Sequence, residues 1–123
     1  MNRTMDRKII IALAALTLAF AGLAQAKLDR IEEAYELDLT QVILPAHTAD
    51  QVTLKQCEDC FTVQLSVDAQ TSYHVGMRSP GITLQTLIAA ADAVSDREHT
   101  PVYVMYRPES LVVTRIILGT TRR

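Results

Sequence analysis

Polar and apolar residues alternate along several stretches of this chain, and such alternation marks strands with one buried face. Tyr35, Leu37 and Leu39 alternate with Glu36 and Asp38. The phase breaks at Gln41, and Val42-Ile43-Leu44 follows as a continuous apolar run that Pro45 ends. A bulge near Gln41, or a switch from half to full burial, accounts for the break. Further on, Val52 and Leu54 share one face against Thr53 and Lys55. Phe61, Val63, Leu65 and Val67 then share a face against Thr62, Gln64 and Ser66. Residues 68–71 (DAQT) turn the chain into Ser72-Tyr73-His74-Val75, a fourth short strand.

The period changes after Pro80-Gly81. Leu84, Leu87, Ile88, Ala91 and Val94 recur at helical spacing and form one apolar stripe. Thr83 suits the N-cap, Leu84 is the first helical residue, and Ile82 and Leu87 occupy the two positions of a hydrophobic staple. The helix is expected to end near Ser95. Two final strands follow, "VYVMY" and "LVVTRIIL", apolar on both faces and so expected in the middle of a sheet. Residues 107–110 (RPES) join them through a turn with proline at its second position. The predicted order is four strands, one helix, two strands. The fold class is α+β: an antiparallel sheet of about six strands with one helix packed on a face.

The N-terminus changes the setting. A basic head containing Arg3, Arg7 and Lys8 precedes an apolar run from Ile9 to Ala24, and Ala24-Gln25-Ala26 places small residues at a cleavage site. This is the pattern of a secretory signal, here expected to form a helix that is removed after Ala26. A retained anchor is the alternative, but the run is shorter than the ~20 residues that a spanning helix usually needs. The domains predicted are therefore 1–26, a signal peptide, and 27–123, one small α+β domain in the bacterial periplasm or outside the cell. Lys27 to Ala34 reads as a frayed helical turn or a tail. Residues 27–123 hold nine basic and thirteen acidic residues, a net charge of −4. That balance disfavours nucleic acid and anionic lipid as partners, and after cleavage no stable membrane insertion is expected.

Composition singles out one candidate chemistry, the pair Cys57 and Cys60 with Glu58-Asp59 between them. If the cysteines flank a two-residue hairpin loop, the register follows by counting. Cys57 faces Cys60, Gln56 faces Phe61, Lys55 faces Thr62, Leu54 faces Val63, Thr53 faces Gln64 and Val52 faces Leu65. Apolar meets apolar and polar meets polar, with Gln56–Phe61 as the one mixed pair, and a slip of one residue destroys the match. Directly opposed, hydrogen-bonded residues have Cα atoms ~5.5 Å apart, within reach of a disulfide. An oxidising compartment would close it. A looser loop of four to six residues with the same disulfide is the main variant. Thiol exchange asks for more: a strand follows the motif where a redox pair has a helix, and Glu58 and Asp59 raise a thiol pKa. A metal asks for two more ligands, from His47, His74, His99 or the soft donors Met77 and Met105, none spaced as a ligand pair.

Other groups read as ordinary structure. Ser72, His74 and Asp68 are close in sequence but occupy a strand and a turn, which does not make a triad. Glu32-Glu33 and Asp92/Asp96 read as solvated helix faces. Tyr35, Tyr73, Tyr103 and Tyr106 read as packed strand residues. No catalytic or cofactor-binding residue is assigned, and no cofactor is implied.

The segment "ITLQTLIAAADAVSDREHTPVYVMY" resembles the helix-then-strand part of periplasmic domains in the ExbD/TolR energy-transducing proteins. Members of that family keep an anchor containing an aspartate, and Ile9 to Ala24 has none. The resemblance therefore implies local structure and no functional residues. As a whole the chain is similar to small secreted bacterial proteins of uncharacterised type. The expected function is protein contact in the cell envelope, along an exposed sheet edge, by a non-enzymatic periplasmic protein. The alternative is a thiol-disulfide or soft-metal protein using Cys57 and Cys60.

Overall fold

A computed structural model describes residues 31–122; the signal segment lies outside them. The strands are β1 (Glu33–Asp38), β2 (Val42–Ile43), β3 (Gln51–Leu54), β4 (Val63–Ser66), β5 (Ser72–Val75), β6 (Pro101–Arg107) and β7 (Val112–Leu118). The helix α1 (Leu84–Asp92) lies between β5 and β6, and single 3-10 turns occupy Leu39–Gln41 and Arg97–His99. The fold is mixed α+β, one sheet of seven strands with one helix.

The strand order is β1-β6-β7-β4-β3-β2, with β5 beside β7. β6 and β7, apolar on both faces, are central as expected. Two features correct the expectation of an antiparallel sheet of six strands. First, β5 pairs with β7 in parallel, and β4 meets β7 in parallel through Ser66 and Val112. The chain passes from β5 through α1 to β6, leaving one position free between those two strands. β7 returns into it, antiparallel to β6 and parallel to β5. Second, the expected long first strand is two strands. Leu39–Gln41 is a 3-10 turn, where a bulge was expected. Gln41 accounts for the broken phase: its Oε1 accepts from the Asp38 amide at 2.9 Å, and its Nε2 donates to the Gln56 carbonyl at 2.6 Å. Glu33 and Ala34, expected in a helical turn or tail, begin β1.

β1 and β2 stand at opposite ends of the strand order, yet the four peptide units from Asp38 to Val42 span at most ~14 Å. The sheet therefore curls on itself. Val52, Leu54, Leu65 and Val67 from one side and Leu37, Val102, Val104, Ile116 and Leu118 from the other enter a single core. Leu84, Leu87 and Ala91 of α1 join it, with Ile82, Ile88 and Val94 partly buried alongside. The helix begins as the sequence predicts, with Thr83 Oγ1 accepting from the Thr86 amide at 3.2 Å. It ends earlier, at Asp92 with Ala93 as C-cap.

The β3–β4 register matches the counted one at Leu54–Val63, Thr53–Gln64 and Val52–Leu65. The turn over Glu58-Asp59 forms, but the ladder does not reach it. The ladder stops at Leu54–Val63, and Lys55 turns to the other neighbour, donating its amide to the Gln41 carbonyl at 2.9 Å. Residues 55–62 are therefore a longer loop. Phe61, expected on the buried face, lies beyond the end of the core and is 95% exposed. The β6–β7 connection is shifted by one residue from RPES, to residues 108–111, with Leu111 at φ 57° donating to the Arg107 carbonyl at 2.8 Å.

Candidate functional site

The cysteines lie at the tip of the β3–β4 loop. The Cys60 amide donates to the Cys57 carbonyl at 3.2 Å, closing a turn over Glu58-Asp59. The Cα atoms are 5.0 Å apart and the sulfurs stand at bonding distance. The loop base is anchored by Gln41, which holds Gln56 and Lys55 as described. A cross-link and side-chain anchors thus do here what ladder hydrogen bonds do elsewhere.

Two open hollows flank the short strand β2, and Ile43 lines both. The first, about 350 Å³, lies toward the tip, between Gln41, Thr53, Lys55, Cys57 and Thr62. Lys55 and Cys57 thus share one depression, with Glu58 also at its wall. The cation favours a thiolate and the carboxylate opposes it. Both cysteines sit in a loop, so the pair lacks the helix N-terminus that makes a thiol strongly acidic. The second hollow, about 480 Å³, separates β2 from α1 and is lined by Val42, Leu44, Pro45, Ile88, Ala91, Asp92 and Arg97 among others. Ile43 is 69% exposed between them.

The histidines do not converge. His47 lies in the loop after β2, where Nδ1 accepts weakly from the Ala49 amide at 3.4 Å. His99 pairs with Asp96 at 2.8 Å, and that hydrogen bond raises its pKa. His74, on β5, meets the Ser79 carbonyl through Nδ1 at 2.9 Å and Ser72 Oγ through Nε2 at 3.1 Å. Because a carbonyl only accepts, Nδ1 carries a proton, while the Ser72 hydroxyl lies between Nε2 and the Thr114 carbonyl at 3.4 Å. Residues two apart on a strand share a face, so the sequence held the signal for this contact. Asp68 takes no part; its Oδ1 caps the preceding turn, accepting from the Gln70 amide at 2.8 Å. Met77 is exposed and Met105 half-buried in β6. Among the described residues no three of His, Cys, Asp or Glu gather as a metal site. Nor is any helix among them long and apolar enough to cross a membrane.

The remaining polar groups serve the frame. Glu32 and Glu33 are not on a helix. Glu32 receives Thr114 Oγ1 and Arg115, while Glu33 Oε2 accepts from the Tyr106 hydroxyl at 2.8 Å. Tyr106 stacks on Tyr35 with ring centroids 5.3 Å apart, and burial pushes its pKa up. Glu36 pairs with Arg122. Asp50 accepts from the Ala46 amide at 2.9 Å, and backbone hydrogen bonds from Ala46 and Gln51 hold its carboxyl below the usual range. Asp92, at the end of α1, is exposed. Tyr73 is buried, and its hydroxyl has no hydrogen-bond partner among the described residues; burial raises its pKa.

Comparison with models of protein families, with curated proteins and with solved structures finds no match to this chain.

Proposed function

We propose that this chain is a small periplasmic protein, exported by the segment that ends at Ala26, which acts by contact with another protein of the cell envelope and not by catalysis. The observation that carries the reading is the placement of Phe61. An aromatic ring 95% exposed directly follows a turn clamped at Cys57 and Cys60, and its neighbour Thr62 lines a hollow edged by the exposed Ile43. Exposed aromatic rings on a pre-shaped loop are the usual anchors of interfaces, because little entropy is lost when they dock. Glu58 and Asp59 next to the ring add negative charge, so the matching surface is an apolar pocket with a basic rim.

The test is capture from envelope extracts by the immobilised protein and by its Phe61→Ser variant. The expected result is a protein retained by the former and lost with the latter. If nothing retained depends on Phe61, the reading fails.

A second reading follows from Lys55 and Cys57 sharing one hollow: thiol exchange at an exposed disulfide. It predicts a reduction potential near those of exchange catalysts, about −270 to −120 mV, whereas a structural clamp falls below about −300 mV. Equilibration with glutathione or dithiothreitol buffers separates the two.

A further inference from the structure

β2 ends the strand order, and its register fixes which backbone groups lie on its open side. The Lys55 amide donates to the Gln41 carbonyl, so Gln41 and, two residues on, Ile43 turn their N–H and C=O groups toward β3. Val42 and Leu44 turn theirs away. Val42, as C-cap of the 3-10 turn, keeps its amide on that turn, and among the described residues no backbone hydrogen bond reaches the Val42 carbonyl or the Leu44 N–H and C=O.

The other outer strand is defended. β1 carries Glu33, Glu36 and Asp38, and charge on an edge discourages an added strand. The Asp38 amide is also occupied by Gln41. β2 and the next residue, Val42-Ile43-Leu44, carry no charge, and the open side looks across the 480 Å³ hollow to Ile88 and Ala91.

We infer that this edge and hollow bind an extended segment of a partner protein, which adds a strand to β2 and sets an aliphatic side chain against Ile88 and Ala91. The inference rests on the protein-contact reading above and names the class of ligand. Main-chain groups exposed on alternate residues call for another extended main chain, and the apolar wall opposite calls for a side chain at one position in two. Arg97 supplies charge complementarity. Its Nη1 donates to the Ala91 carbonyl at 3.0 Å, and among the described residues no carboxylate pairs with it. The bound segment therefore carries an acidic residue beside the aliphatic one, and Asp92 on the same wall limits it to one. A second copy of this chain fits poorly. Pro45 cuts the edge short, and two such strands would bury far less than the ~800 Å² per partner of a stable interface.

The probes are fluorescent peptides of ~10 residues that alternate valine with threonine, with one glutamate scanned through the valine positions, which share the face turned to Ile88, Ala91 and Arg97. Binding to the protein is read by anisotropy. A strand docked on one edge uses only alternate amides. N-methylation of one alternate set should therefore weaken binding about tenfold or more, and methylation of the other set should leave it unchanged. The Ile43→Lys variant, changed at an exposed position, should fold normally and lose a similar factor. Arg97→Gln should weaken only the glutamate-bearing peptides. Phe61→Ser should bind every peptide as the parent does. Equal tolerance of both methylated sets, or no binding by any peptide, overturns the inference; so does a dimer that Ile43→Lys dissolves. If the peptides fail while Phe61-dependent capture persists, the contact reading survives without this site. If they bind and capture fails, the groove stands alone.

Discussion

The two halves of the sheet are built on different scales. β6 and β7 run seven residues each and hold six registered pairs, with β1 paired along six more. β2, β3 and β4 hold two to four residues each. They meet the long half at one ladder pair, Ser66–Val112, helped by the Ser66 amide donating to the Leu111 carbonyl at 3.1 Å. The exposed Phe61 and Ile43, the cysteine pair and both hollows beside β2 all belong to the short half. Local stability follows ladder length and burial. The long half is thus a frame, and the short half shares its core but is held at its tip by side-chain anchors and a cross-link.

The strongest way to break this comparison is to hollow out each half in turn. Ile116 and Leu54 are both fully buried, and either truncation to alanine costs ~2–5 kcal/mol where the cavity does not collapse. Ile116→Ala should lower global stability in denaturant by an amount in that range. Leu54→Ala should fall at its low end. Hydrogen exchange should then quicken in β2–β4 while β6 and β7 keep their protection. Equal loss of protection in both halves would show one cooperative unit and erase the distinction.

Removal of the cross-link comes next. Cys57→Ser should cost an amount near the bottom of the ~0–5 kcal/mol range, because the closed loop is so short. Thermal unfolding with and without reductant measures it, and exchange should quicken in residues 55–62 alone. A smaller effect, of opposite sign, belongs to the frame. Leu111 holds φ 57°, a conformation that costs a branched side chain and not glycine. Relief of the left-handed strain, ~1–2 kcal/mol, outweighs the ~0.4–1 kcal/mol of unfolded-chain entropy that glycine adds, so Leu111→Gly should raise stability by up to ~1 kcal/mol. A loss would show that the leucine side chain contributes more than the strain.

The smallest effect is electrostatic. Asp50 has its carboxyl held low by two backbone amides. A depressed folded value means that the contribution is fully present above the unfolded carboxylate value of ~3.9 and is lost as pH falls through the folded one. NMR titration should place the Asp50 midpoint below that of a free aspartate. Asp50→Asn should remove the pH response of the amides in residues 45–51 and leave β6 unmoved.

Much of the frame was legible in the chain. The stripe from Leu84 to Val94 and the Thr83 cap locate the helix, because a 3.6-residue period and a single hydroxyl are local signals. The pairing of Leu54 with Val63 could be counted, because a one-residue slip would exchange the buried and exposed faces. The Ser72–His74 contact was also within reach of strand periodicity. The site was less legible. Phe61 alternates in phase with Val63 and Leu65, yet alternation does not tell where a ladder stops. The stop depends on Gln41, fourteen residues before Lys55, whose carbonyl takes the Lys55 amide.

The sequence by itself determined which residues face inward along β1, β3 and β4, where the helix starts and that two cysteines lie close enough to join. Those follow from side-chain period and from chain connectivity over a few residues. Tertiary structure alone decided that β7 enters between β5 and β6, that the sheet curls until β1 and β2 meet through a single turn, and that β2 is left bare opposite α1. These outcomes depend on which distant strands compete for the same backbone partners, and a pattern read along one strand holds no record of that competition.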